Sequence, residues 1–316
     1  MSKLISVLMP VYNCRQYVAE AIRSILQQTY RDFEFIIIDD GSTDGSGHIL
    51  RVFAVSDSRI RLISRPNRGL VPSLNEGLSL SRGEFIARMD ADDISFPTRL
   101  ERQLAFMSSH PTVVATGTQH ELIDDRSRLL GAARQHPLYH EDAVEWILTG
   151  RCPLNHPSVM MRRTAVLSVG GYRDHPAEDL DLWIRLSECG QIRNVPDTLM
   201  RYRLRYDSLA RQYTRNDLDA IRQLISDACR KRGVAPPVSP TPQPMTHAEF
   251  HRLCATHAVD ARQLSAARWH IICALLREPL ERKNLHLAAH AFLPRPVVCH
   301  LKRLLRRQTL SDSKSP

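Results

Sequence analysis

Short apolar runs alternate with helically spaced apolar positions through the first 110 residues, and this restricts the fold more than any other feature. The runs Leu4–Met9, Phe33–Ile38, Ile60–Ser64 and Glu84–Met89 are too short for helices and read as strands. Between the first two, Tyr17–Gln28 carries apolar residues at 18, 21, 22, 25 and 26, a helical period. The turn at 41–47 leads into a second helix, with Ser42 or Thr43 as its N-cap. Pro72–Leu80 and Pro97–Ser108 read as helices, the latter with proline in its first turn. Strands alternating with helices predict a mostly parallel α/β sheet with right-handed crossovers.

Beyond residue 113 the pattern loosens. Val113–Ile123 reads as a long strand, Ser158–Met161 as a short one, Asp179–Cys189 as a helix and Leu199–Leu204 as a weak alternation. Residues 236–244 hold five prolines and read as an extended linker; helical material returns at 246–293 and 297–307. Charge divides the chain the same way. Residues 1–212 hold 26 Lys/Arg and 26 Asp/Glu, whereas 213–316 hold 17 and 8, so the whole net charge of +9 lies in the last third. The expected organisation is therefore a catalytic domain over 1–212 and a basic, mainly helical region over 213–316. Seven scattered cysteines without a C-x-x-C pair fit reduced thiols in a cytosol. No signal-peptide core or run of 18 apolar residues occurs, so a cytoplasmic location is expected.

Polar clusters follow three predicted strands: Pro10-Val11-Tyr12-Asn13, then Asp39-Asp40-Gly41-Ser42-Thr43-Asp44, then Asp90-Ala91-Asp92-Asp93. Open α/β sheets bind ligands beyond the carboxyl ends of their strands. Acids gathered there repel unless a cation or a donor-rich ligand compensates. Carboxylates at 90 and 92 can converge on Mg²⁺ or Mn²⁺; the alternative is an acidic turn before the helix at Pro97. Gly41, Gly45 and Gly47 do not form G-x-G-x-x-G, and no Walker loop or H-E-x-x-H is present. The pairs His136/His140, His247/His251 and His286/His290 read as surface or core histidines.

These clusters, with Asn67-Arg68-Gly69 and Glu178-Asp179, stand in the order and spacing of one family. From Ile5 to Ser208 the chain resembles the family 2 glycosyltransferases of GT-A fold. Gln27–Tyr30, Gly83–Phe85, Asn155–Ser158, Gly170–Tyr172 and Leu182–Arg185 agree with it. The resemblance implies an inverting transfer of sugar from a nucleoside diphosphate, with UDP-sugars the first expectation, to a saccharide or lipid-linked acceptor. It implies that Pro10 and Tyr12 line the base pocket, that Asp40 bonds the base, and that Asp39, Asn13, Asn67, Arg68 and Gly69 serve the nucleoside. It implies Asp92 as the metal carboxylate for Mn²⁺ or Mg²⁺, Asp90 and Asp93 at the nucleotide and sugar edge, and Asp179 as catalytic base with Asp181 the runner-up. Arg205 stands where relatives often carry histidine; it is a phosphate partner or a solvated surface charge.

Two rival readings are a nucleotidyltransferase of the same fold class and a non-catalytic module with a basic tail. The first lacks a Gly-rich basic loop after the first strand. The second has no need of both Asp92 and Asp179, and the neutral first 212 residues offer no groove for nucleic acid. In the tail, Val297, Val298, Leu301, Leu304 and Leu305 share one side of a helix opposite Lys302, Arg303, Arg306 and Arg307. That pattern suits either peripheral contact with anionic membrane or packing on the protein with a solvated basic face.

Overall fold

The computed structural model describes residues 3–207, 213–237, 245–293 and 297. It divides into two compact units. Counting described residues, the first holds 3–120, 133–202 and 213–237, and the second holds 121–132, 203–207 and 245–293. The units do not part at residue 212, where the domain boundary was expected.

The first unit is built on a twisted sheet. Strands β1 (Ile5–Val11), β2 (Phe33–Asp40), β3 (Ile60–Arg65) and β4 (Phe85–Arg88) run parallel, and β2 is buried along its whole length. A strand covered on both faces needs an unbroken apolar run, which Phe35–Ile38 provides. Successive side chains then enter opposite cores. Leu8, Ile36 and Ile38 join one cluster, while Val7, Met9, Phe35 and Ile37 join the other. Helix α1 (Val18–Leu26) covers the second face with Val18, Ala21, Ile22 and Ile25. Helix α2 is Ser46–Ser56, and α3 (Leu70–Leu80) covers the first face with Leu74 and Leu78.

The remaining strands are β5 (Ile94–Ser95), β6 (Val113–Ile123), β7 (Leu129–Ala132), β8 (Met160–Arg162) and β9 (Gln191–Arg203). The sheet order is β3-β2-β1-β4-β8-β6-β9-β5, with β7 paired to β6. Strand order reverses at β1, which has β2 on one side and β4 on the other, so their carboxyl ends open at the switch point. Helices α4 (Arg99–Ser109), α5 (His140–Leu148), α6 (Arg163–Ser168), α7 (Glu178–Cys189) and α8 (Arg215–Lys231) complete the unit.

Several local expectations shift. Helix α2 is capped by Gly45 at φ +97° rather than by Ser42 or Thr43, because the Asp44 carboxylate takes the Ser46 N–H. Proline 97 precedes the cap of α4 instead of entering its first turn. Ser158 closes a 3-10 turn, His156–Ser158, before β8 begins. The weak alternation at 199–204 is the end of a 13-residue strand whose earlier part is interrupted by exposed Pro196. Helix α8 was expected in the C-terminal region. Its Thr214 and Asp217 form a reciprocal capping box, and Ile225, Ala228 and Cys229 enter the core with α5 and α7.

The second unit contains the β6–β7 turn and helices α9 (His247–Asp260), α10 (Leu264–Arg277) and α11 (Arg282–Phe292). Its polar centre is Asp124, which has no exposed surface. The carboxylate accepts from the backbone N–H of Arg126 and Arg128, both at 2.9 Å, from Arg128 Nε at 2.7 Å, and from His270 Nε2 at 3.1 Å. Burial opposes ionisation, but these donors outweigh it and hold the Asp124 pKa at about 2. The His270 Nδ1 lies 2.9 Å from His251 Nδ1. With His270 donating to Asp124, His251 supplies the proton of that second bond. The expected amphipathic segment 298–307 and the Pro-rich residues 238–244 lie outside the described residues. No helix among the described residues is long and apolar enough to cross a membrane.

Two outcomes are expected. A Cβ at Gly77 would stand 1.9 Å from Leu8 Cδ1, where α3 lies on β1. Gly77→Leu should therefore cost about 1–3 kcal/mol or more in urea unfolding, since an overpacked core must shift; unchanged stability would refute close packing there. In the second unit, burial and then His270 push His251 down to about 4. A histidine pKa held below its unfolded value means that protonation favours unfolding. Stability contributed by this group should be full above about pH 6.5 and fall as the pH drops towards 4. Protection of the α9–α11 amides, taken relative to the unprotected exchange rate at each pH, should fall over that window, and less so in His251→Gln; identical profiles would remove His251 from the account.

Candidate active site

The loops after β1, β2 and β3 are sewn together by short polar side chains. Asn13, at φ +48°, donates its N–H to Ser42 Oγ (3.1 Å), and its own Oδ1 accepts from Thr43 N–H (2.8 Å). Cys14 N–H donates to Ser46 Oγ (2.9 Å), Arg15 N–H to Asp44 Oδ2 (2.8 Å), and the Cys14 thiol to Ala91 O (3.3 Å). The first and second sequence clusters therefore face each other, and the third adjoins them. Beside Pro10, Tyr12 stands 55% exposed, a free aromatic face at the cleft rim.

Asp39 and Asp40 are both buried. Asp39 accepts Ser42 N–H at 3.1 Å, so it shapes the turn. Asp40 is ion-paired with Arg65 and accepts the N–H groups of Arg68 (2.9 Å) and Gly69 (2.8 Å). The segment 67–69 is thus tied to β2, and Gly69 at φ +97° admits a conformation that side chains resist as α3 begins. In this state the Asp40 carboxylate is occupied chiefly in holding that loop.

At the end of β4, Asp90, Asp92 and Asp93 place carboxylate oxygens within 4.8 Å of one another. Buried Arg88 grips Asp90 with two nitrogens, at 2.5 and 2.6 Å. Burial, resisted by Arg88 and reinforced by Asp92 and Glu178, raises the Asp90 pKa. Tyr202 on β9 faces the same acids. Burial and then Asp93, Asp90 and Asp92 raise its pKa and keep the phenol protonated. An all-oxygen donor set of this size fits a hard divalent cation, and Asp92, half-buried and outside the Arg88 grip, is the carboxylate best placed to lead it.

The third side of the site is the start of α7. Glu178 is mostly buried, and burial raises its pKa. Its Oε1 lies 3.5 Å from His156 Nδ1, and His156 Nε2 lies 3.0 Å from the Tyr172 hydroxyl. Burial and the Arg88 charge drive the His156 pKa far down, so this imidazole is neutral. Asp179 accepts the Leu180 N–H at 2.7 Å and the Cys152 thiol at 3.3 Å. Asp181 is different: it is buried, clamped by Arg185, and Arg185 also donates to Val169 O and Gly171 O. That carboxylate holds α7 to the preceding loop. Among the described residues Asp179 has no arginine or lysine partner.

The first unit therefore gathers Pro10, Tyr12, Asn13, Asp39, Asp40, Asn67, Arg68, Gly69, Asp90, Asp92, Asp93 and Asp179, whereas Arg205 belongs to the second unit. There Arg205 pairs with Asp207 at 2.7 and 3.0 Å. Arg88, Cys152, His156, Tyr172 and Tyr202 carry roles that sequence reasoning did not assign. The quoted stretches Asn155–Ser158 and Gly170–Tyr172 contained His156 and Tyr172, but nothing in their spacing shows that they meet across the fold.

Comparison with known proteins agrees with this geometry. Residues 6–169 match the sequence profile of glycosyl transferase family 2. The EpsE protein of Bacillus subtilis (strain 168) is 39% identical over 237 residues, covering 72% of this chain and 82% of EpsE. The O-antigen biosynthesis glycosyltransferase WbnJ of Escherichia coli is 34% identical over 206 residues, covering 64% and 80%. Among solved structures, S. aureus TarS 1-349 in complex with UDP-GlcNAc superposes with a TM-score of 0.58 at 17% identity, covering 91% of this chain and 79% of TarS 1-349. The fold is GT-A, and the chain belongs to glycosyl transferase family 2.

Proposed function

We propose that this glycosyltransferase moves a sugar with inversion from a nucleoside diphosphate to an acceptor hydroxyl activated by Asp179. The observation that carries the proposal is the contrast at the start of α7: Asp181 is clamped by Arg185, while among the described residues Asp179 accepts from a thiol and a backbone N–H and has no arginine or lysine partner. A carboxylate not engaged by a guanidinium can accept the hydrogen bond of an incoming hydroxyl and take its proton. Asp179 takes the proton as the acceptor oxygen attacks the anomeric carbon from the face opposite the leaving diphosphate. Holding the two substrates in line supplies much of the rate.

Pro10 and Tyr12 line the nucleobase side. Asp39, Asp40, Asn13 and the 67–69 loop shape the nucleoside pocket, with UDP the first candidate. Among fold neighbours, S. aureus TarS was solved in complex with UDP-GlcNAc and a Pyrobaculum calidifontis mannosyltransferase in complex with GDP-Man and Mn²⁺. Asp92 would hold Mg²⁺ or Mn²⁺, with Asp90 and Asp93 beside it, and such an ion supplies Lewis-acid stabilisation of the departing diphosphate. Burial favours the neutral forms of Glu178 and His156 beside the base. Work on cell-surface polysaccharide, at the cytoplasmic side of a membrane, fits the names of relatives in O-antigen and amylovoran biosynthesis. The basic segment 297–307 would supply peripheral contact with anionic lipid.

Calorimetry and donor-hydrolysis assays test these roles. Asp92→Asn should lose Mn²⁺-dependent UDP binding while remaining folded; unchanged affinity would reject the cation role. Asp179→Asn should bind UDP as the wild type does and turn over ~10²–10⁴ times more slowly. Wild-type turnover in that variant would reject the base assignment.

A further inference from the structure

In the first unit, two short segments, 133–139 and 151–154, are pinned side by side by buried amides. Gln119 Oε1 accepts His136 N–H at 2.8 Å, and Gln119 Nε2 donates to His136 O at 3.1 Å. Asn194 Nδ2 donates to Pro137 O at 2.7 Å and to Pro153 O at 2.9 Å. Asn194 can reach both because residue 117 is glycine: a Cβ there would stand 2.3 Å from Asn194 Oδ1.

This pinning brings one arginine from each segment to the same indole. The guanidinium carbons of Arg134 and Arg151 lie 5.1 and 5.8 Å from the Trp146 ring centre. Both arginines are exposed, and neither has an acid within ion-pair distance among the described residues. Two guanidinium groups at one ring repel each other, and the ring face offsets this only in part. An anion between them would relieve the repulsion, and phosphate or carboxylate matches the guanidinium fork.

The position of the pair matters. Arg151 is followed by Cys152, whose thiol donates to Asp179. From Trp146 a row of rings runs back towards the acid cluster. His136 is 5.6 Å from Trp146, His120 is 5.3 Å from His136, and Tyr202 is 5.7 Å from His120. His120 is itself buried with Nδ1 lacking a hydrogen-bond partner.

We propose that Arg134 and Arg151, set on Trp146, form an anion subsite for the acceptor, so that the acceptor is a saccharide bearing a phosphate or carboxylate near its reactive sugar. The proposal rests on the reading of Asp179 as the base. Trp146 is a positioning residue, the ring that both guanidinium groups approach.

The test titrates the full chain, preloaded with UDP and Mg²⁺ to fill the donor side, with three probes: glucose 1-phosphate, methyl glucuronide and methyl glucoside. The expected result is that one charged probe binds at least tenfold more tightly than the neutral glycoside. Which of the two does so separates a phosphate from a carboxylate source. Arg134→Gln/Arg151→Gln should abolish that preference and leave UDP affinity within twofold; both positions are exposed, so the core is untouched. Equal binding of all three probes, binding of none, or a charge preference that survives in the double variant would overturn the proposal. A wild-type chain that fails to take up UDP would count against the choice of UDP as donor nucleotide instead, and the three probes, titrated again without UDP, would still show or fail to show the charge preference.

Discussion

Many acids at one edge of a sheet are an electrostatic burden, and three arginines decide how this molecule carries it. Asp40 is paired with Arg65, Asp90 with Arg88 and Asp181 with Arg185. Each pair is largely removed from solvent, where losing one partner would typically cost about 3–5 kcal/mol because a charge would remain buried alone. The pairs therefore fix geometry: Asp40 holds the 67–69 loop, Asp90 is turned towards Arg88, and Asp181 ties α7 to the loop before it. Beside these pairs stand Asp92 and Asp93, whose carboxylates lie with Asp90 in one acid cluster, and Asp179, which has no guanidinium partner among the described residues.

Burial then separates the remaining titratable groups by role. It raises Glu178 and Cys152 and lowers His156. All three changes favour the neutral form, as desolvation requires. A cleft built to receive a diphosphate needs few fixed negative charges beside those that bind a cation. The upward shift of Glu178 and the neutral His156 act in that direction while both groups still meet neighbours. The same logic works in reverse in the second unit, where four donors around Asp124 make a buried carboxylate stable as an anion.

Glycines set distances that side chains could not. Gly77 lets α3 settle on β1, and Gly117 makes room for the Asn194 amide that pins two segments beneath Trp146. Neither position is in the cleft, yet each controls how an element beside it is placed. Packing at native density leaves no room for a methyl group at such contacts.

The parallel core was legible in the sequence because a strand buried on both faces must be apolar throughout, as Phe35–Ile38 is, and because polar clusters after three such runs, two of them acidic, meet at one edge of a parallel sheet. The long strand Val113–Ile123 and helix α7 were legible for the same reason: their periods are local. The capping box at Thr214 was equally local, but α8 was grouped with the basic region because charge, unlike packing, says nothing about which core an amphipathic face will enter. Arg205 matched a family position by spacing, whereas its pairing with Asp207 depends on side-chain geometry. The choice between Asp179 and Asp181 could not be made from a string in which both acids open one helix. In the folded chain Asp181 pairs with Arg185 one turn along the same helix, while tertiary packing brings Cys152 to Asp179. Likewise Arg134 and Arg151 lie 17 residues apart, and only tertiary hydrogen bonds from Gln119 and Asn194 bring them to one ring. Periodicity records what each residue does to its own element; Arg88 and Arg185 lie near the acids they pair with, whereas Arg65 for Asp40 and Cys152 for Asp179 come from elsewhere in the chain, and only folding selects them.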